Sequence, residues 1–174
     1  MAAPELLDRL QPALLDRLTD ESPAERSESD ERRLMSKAQL RQAVLRDLGW
    51  LFNASQPQPG WSESHPELAG SVLNFGLPPL AGQRVSRLDV TQLERTIVQA
   101  ILRFEPRILP QTLSVHALAS ESVLDTHNMI EFEIRGHLWA QPVPLEVLLR
   151  TKLDLEAGQV EVRDASSTAP VRVA

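Results

Sequence analysis

Three groups of side chains in this sequence have the types and spacing that chemistry could use. They are Glu131 with Glu133, the histidines His65, His116, His127 and His137, and Glu105 with Arg107 around Pro106. A glycosidase needs two carboxyls roughly 5–9.5 Å apart, and residues two apart on a strand lie about 6.6 Å apart at the backbone. Glu131 and Glu133 meet that condition on spacing alone. They alternate with Ile130, Phe132 and Ile134, however, which puts them on the solvated side of a strand. Arg150 and Lys152 are expected across from them, so ordinary cross-strand charge pairing is the better reading. The histidines are far apart and show no ligand spacing. His116 and His137 read as solvated positions on the outer face of a sheet. The sequence has no cysteine, which excludes disulfides, thiolate metal sites and cysteine nucleophiles. No glycine-rich phosphate loop, nucleophile elbow or paired-histidine zinc motif is present. No catalytic residue, metal or cofactor is expected.

The third group sits in "ILRFEPRIL", residues 101–109. Glu105 has no second carboxyl in reach along its own helix. At about 1.5 Å per residue, Glu94 lies roughly 16 Å back and Asp89 about 24 Å. Pro106 disfavours helical angles in the residue before it and so pushes Glu105 out of the helix. A carboxylate there also faces the negative end of the helix dipole, which costs on the order of a few tenths of a kcal/mol. In a locally extended segment Glu105 and Arg107 project to the same side and can pair, while Phe104, Ile108 and Leu109 anchor the segment to the core. Two readings stand at this level: a plain helix stop, or a rigid pair of charged tips meant for another molecule.

The elements around these residues are legible from periodicity. Ser36 and Gln39 have capping-box spacing, and Leu40, Val44, Leu48 and Leu51 repeat at helical intervals until about Asn53. "SQPQPGWSESHPE" then predicts an irregular surface loop. A short helix within residues 67–82 is cut off by Gly76 and Pro78–Pro79. Asp89 caps a second long helix whose stripe is Val90, Leu93, Ile97, Ile101 and Phe104. After Pro110 the period becomes two. Strands are predicted around Leu113–Ala117, around Ile130–Ile134 with a bulge at Gly136, and around Val147–Leu155. A turn near Ala157–Gly158 leads into Val160 and Val162 as a hairpin partner. The expected fold class is α+β: an antiparallel sheet of about four strands covered on its apolar face by two long N-terminal helices.

Length and composition fit that plan. The 174 residues are 42% hydrophobic and 24% charged, enough for one domain with a real core. No membrane-spanning run or secretory leader is apparent. The net charge of −6 and an aromatic content of 4% without tyrosine disfavour nucleic acid as a partner. Residues 1–35 carry nine acids and five arginines, so the acidity is concentrated in an extended N-terminal arm. "LLDRL" occurs there twice, at 6–10 and 14–18, with Pro12 between the copies. They read as two short apolar hooks that dock on the domain itself or on a partner. The division expected is a docking arm and linker over 1–35, a domain over 36–164 and a disordered tail over 165–174.

"FEPRI" at 104–108 resembles the Glu-Pro-Arg signature of the TssE family, a type VI secretion baseplate component similar to a contractile-phage wedge protein historically called lysozyme-like. Four further segments agree in order: "LLDRLTDE" at 14–21, "VLRDLGWLFN" at 44–53, "SVLNFGLPPLAG" at 71–82 and "LRTKLDLEAGQVEVRD" at 149–164. The doubled "LLDRL" and the loop at 54–67 depart mildly from the family pattern. The resemblance implies a structural subunit working with the baseplate proteins TssF, TssG and TssK and with the first ring of the TssB–TssC sheath. It implies a cytoplasmic place, at the baseplate docked on the inner-membrane complex, without insertion into the membrane. Carried over residue by residue, Glu105, Pro106 and Arg107 would be the partner-binding residues, and alanine at Glu105 or Arg107 is expected to weaken assembly while leaving the monomer folded. The competing readings are a peptidoglycan hydrolase and a regulatory anti-adaptor on the same fold, because fold alone does not fix function.

Overall fold

The computed structural model describes residues 12–19, 35–57, 65–84, 88–118, 128–140 and 142–165. Its elements are α1 (Leu14–Leu18), α2 (Lys37–Asn53), α3 (Val90–Phe104), β1 (Ser114–Leu118), β2 (Met129–Leu138), β3 (Leu145–Asp154) and β4 (Gln159–Asp164). Short 3₁₀ segments occupy Pro66–Gly70, Val72–Asn74 and Pro110–Thr112. The first copy of "LLDRL", most of the charged linker, residues 58–64 of the long loop, His127 and the tail from 166 lie outside the described residues.

Both long helices begin where the sequence predicts. The Ser36 hydroxyl accepts the Gln39 amide at 3.2 Å and the Gln39 side chain accepts the Ser36 amide at 2.8 Å, satisfying two of the orphan donors of the first turn. Asp89 caps α3 by accepting the Gln92 amide at 3.0 Å. Ser36→Ala is expected to cost about 1 kcal/mol, read as a lowered urea midpoint with an unchanged slope.

The strands form one antiparallel sheet in the order β1-β2-β3-β4, the order that successive hairpin-like connections produce. Alternate residues face the helices: Ile130, Phe132, Ile134 and Leu138 from β2, and Val147, Leu149 and Leu153 from β3, are all buried. They meet Leu40, Val44, Leu48, Leu51 and Phe52 of α2 and Leu93, Ile97, Ala100 and Ile101 of α3 in a single core. Helix α2 lies over β4 and α3 over β1, so the two helices share one face of the sheet. The β3–β4 turn is closed by Asp154, whose Oδ1 accepts the amides of Glu156 and Ala157 at 2.8 and 3.0 Å, with Gly158 at φ +68°.

Gly136 does not form the expected bulge. The β2–β3 register runs unbroken from Met129↔Asp154 to Leu138↔Leu145. A Cβ at Gly136 would lie 3.2 Å from Ile108 Cγ2, so the glycine makes room for a side chain packing on the strand.

Both sheet edges carry a side chain on their outward backbone groups. At β4, Asn53 donates to the Val160 carbonyl at 2.8 Å and accepts the Val160 amide at 2.9 Å. The amide at the end of α2 thereby imitates one residue of a fifth strand. At β1, the Ala117 amide donates to Glu94 Oε1 of α3 at 2.7 Å. Each contact consumes hydrogen-bonding groups that an open edge would offer to another chain.

Candidate functional site

The chain leaves α3 at Glu105, whose backbone angles of −124° and 75° are no longer helical although its amide still donates to Ile101 O. Pro106 imposes that exit, and because it has no N–H, its place past the helix end leaves no donor unpaired. Two backbone hydrogen bonds then fasten the turn to the end of β2. Leu109 N–H donates to His137 O at 2.8 Å, and Trp139 N–H donates to Arg107 O at 2.7 Å, with Ile108 bridged to Leu138 between them. Phe104 packs edge-on against Phe75 at 5.3 Å between ring centroids. Ile108 is buried.

The Glu105–Arg107 pair expected from the sequence is present. Glu105 Oε1 accepts Arg107 Nε at 2.6 Å and the Arg107 backbone amide at 3.2 Å, while Oε2 accepts Nη2 at 2.5 Å. This is the two-pronged guanidinium–carboxylate fork that arginine alone can make. The expectation of two exposed tips is corrected: Glu105 is only 3% exposed. The side chain of Arg107 keeps 25% of its surface and Pro106 is exposed. What the surface presents is therefore a proline and the edge of a guanidinium, with the glutamate buried behind them.

Arg107 does not end the charge network. Its Nη2 also donates to Asp47 Oδ2 on α2 at 2.6 Å. Asp47 Oδ1 accepts Arg46 Nε at 2.9 Å, and Arg46 Nη1 reaches Asp16 Oδ1 of α1 at 2.5 Å. Five alternating charges thus run from the turn across α2 to the N-terminal segment. Burial pulls the Arg107 pKa down, but the hydrogen bonds and charge of Glu105 and Asp47 outweigh it and leave it above the ordinary arginine value. The Arg46 pKa is raised as well, by its hydrogen bonds to Asp16 first and Asp47 second. Both guanidinium groups stay charged at any working pH.

Nothing local in the sequence marks Asp16, Arg46 and Asp47 as members of this network. "RD" at 46–47 looks like the solvated side of α2, and its partners lie 30 and 60 residues away in sequence. The segment at 14–18 touches its own domain through the Asp16–Arg46 ion pair, and none of its residues is buried. Leu14 and Leu18 face outward, 74% and 73% exposed, since Asp16 lies nearly opposite them on a 3.6-residue turn.

The carboxylates weighed for hydrolysis do not assemble a site. In register Glu131 is opposite Lys152 and Glu133 opposite Arg150, and Glu133 pairs with Arg135 at 2.7 Å. His116 stands opposite Glu133 and His137 opposite Glu146, both on the face away from the helices. Among the described residues no three His, Asp or Glu side chains converge as metal ligands, and no helix is long and apolar enough to cross a membrane. A cleft of about 60 Å³ beside Phe52, Leu77, Leu80 and Val160 has no ionisable side chain in its lining. Substrate pockets are several-fold larger, at roughly 300–1,000 Å³.

The described residues form a helix-backed antiparallel sheet with a charge-braced turn at Glu105–Arg107. Residues 38–143 match the family model described as Baseplate wedge protein gp25, more than half of the chain. The chain belongs to that family, the family of TssE, and is a component of a phage-tail-like baseplate. The matched span contains α2 from its second residue, α3, the Glu-Pro-Arg turn, β1 and β2, whereas the segments at 14–21 and 149–164 fall outside it. No curated protein and no solved structure gives a match to the chain.

Proposed function

We propose that the protein is the TssE-type wedge subunit of a type VI secretion baseplate. It works with TssF, TssG and TssK and seats the first TssB–TssC sheath ring, in the cytoplasm at the inner-membrane-docked baseplate. Pro106 and Arg107 form its partner contact, and Glu105 supports it from behind by holding the guanidinium. The observation that carries this reading is the buried Glu105 carboxylate holding a partly exposed Arg107 within the family span. A guanidinium already held in place by two prongs loses little side-chain freedom on binding. For the sheath, an incoming strand would pair along a sheet edge, and Asn53 and Glu94 are the side chains it would have to displace.

Co-purification of the chain with TssF, TssG, TssK and TssB tests the assignment, and failure to retain any of them would remove it. Arg107→Lys tests the contact, because it keeps the charge and gives up the fork. The variant is expected to fold and to bind its wedge partners about tenfold more weakly, a loss of about 1.4 kcal/mol. Wild-type affinity would take Arg107 out of the interface.

A further inference from the structure

We infer that Arg46 and Asp47 are positioning residues for Arg107, and that they form a relay through which the docked N-terminal segment sets the direction of that guanidinium. The inference rests on the proposed role of Arg107 for its consequence in assembly, although the relay itself can be read in the isolated chain.

Each inner member of the relay is shared between two neighbours. Asp47 gives Oδ1 to Arg46 and Oδ2 to Arg107. Arg46 gives Nε to Asp47 and Nη1 to Asp16. The two ends differ in strength. At the turn, Glu105 holds Arg107 through both carboxylate oxygens and also takes its backbone amide. At the arm, a single hydrogen bond joins Asp16 to Arg46, and Asp16 Oδ2 and Arg46 Nη2 are buried without a hydrogen-bond partner. One prong is weaker than two, so the arm end is where the relay opens.

Opening it has a directed result. With Asp16 gone, Arg46 is no longer divided between two carboxylates and can turn its fork wholly onto Asp47. Asp47 then shares less with Arg107, whose Nη2 keeps only Glu105. Arg46 also lies over the Trp50 ring, 5.1 Å from its centroid, within cation–π range. The indole therefore senses the same movement.

The test uses the full chain with ¹⁵N labelling and follows the Nε–Hε resonance of Arg107 and the indole resonance of Trp50. Asp16→Asn is expected to shift both, and Asp16→Glu to restore both toward wild type. Asp164→Asn is the control: it cuts the separate Arg41–Asp164 tie between α2 and β4, 3.0 Å long, and is expected to leave Arg107 unmoved. An unchanged Arg107 resonance in Asp16→Asn would overturn the relay, as would an equal shift in the control. Binding to the wedge partners is expected to weaken about fivefold in Asp16→Asn, the lower end of ordinary coupling between sites. A shifted resonance with unchanged affinity would uphold the relay and count against Arg107 as the contact.

Discussion

Glu105→Ala is expected to lower the unfolding free energy by about 3 kcal/mol, the lower end of the range for removing one partner of a buried ion pair. The carboxylate is buried and accepts three hydrogen bonds from Arg107. Without it the guanidinium remains largely covered, and the backbone amide of residue 107 loses its acceptor. The loss stays at the low end because Asp47 still reaches Arg107 and a quarter of that side chain is already in water. Out of a total stability of about 5–15 kcal/mol, such a loss is plain in a urea titration, as a lower midpoint at unchanged slope. A change below about 1 kcal/mol would mean that the pair is solvated and the turn loosely held. Alanine at this position thus tests stability, and the proposed partner contact has to be tested at Arg107.

Gly76→Ala is expected to destabilise by about 3 kcal/mol or more, and to do so locally first. Gly76 has φ +127°, and a Cβ there would lie 2.3 Å from Ala54 O and 2.6 Å from Ala54 C. These are backbone atoms and cannot swing aside. Backbone strain of this kind costs about 1–3 kcal/mol by itself. Relieving the clash also breaks the clamp at the loop roots, where Leu77 N–H donates to Ala54 O at 2.9 Å and Gln56 N–H to Leu77 O at 2.8 Å. Each such bond is worth about 1 kcal/mol net. Hydrogen exchange should show the Gln56 and Leu77 amides losing protection ahead of the sheet. Gly70→Ala is the matched comparison, since nothing lies within 4 Å of a Cβ there, and a change within about 0.5 kcal/mol is expected.

The helices and strands were legible because their signals are local. Ser36 with Gln39, Asp89, the stripes of α2 and α3 and the parity of Ile130, Phe132 and Ile134 are each decided within one or two turns of chain. The register that sets Glu131 opposite Lys152 and Glu133 opposite Arg150 followed from alternation plus one hairpin, but the ion pair that forms runs along the strand, from Glu133 to Arg135. The Glu105–Arg107 pair was also local, two residues apart around a proline. Its burial was not legible, because it depends on α2 lying beside the turn and supplying Asp47 from 60 residues away. The same distance problem hid Asn53 on the β4 edge and Glu94 on the β1 edge. Gly136 was misread for a related reason: a glycine in a strand signals either a bulge or a close neighbour. Only the position of Ile108 tells them apart.

The fastening of the turn to β2 determines where a pull at Arg107 is felt. Hydrogen bonds between antiparallel strands run across the chain direction. Tension along β2 therefore loads the Leu109–His137 and Trp139–Arg107 bonds side by side, and they must give way together. The strain passes into a ten-residue strand paired along its whole length with β3. On its other side the turn is joined to the end of α3, where the Glu105 amide donates to Ile101 O. If Arg107 is the contact proposed above, a load on it is carried by the sheet, and the helix before it can fray without releasing the turn.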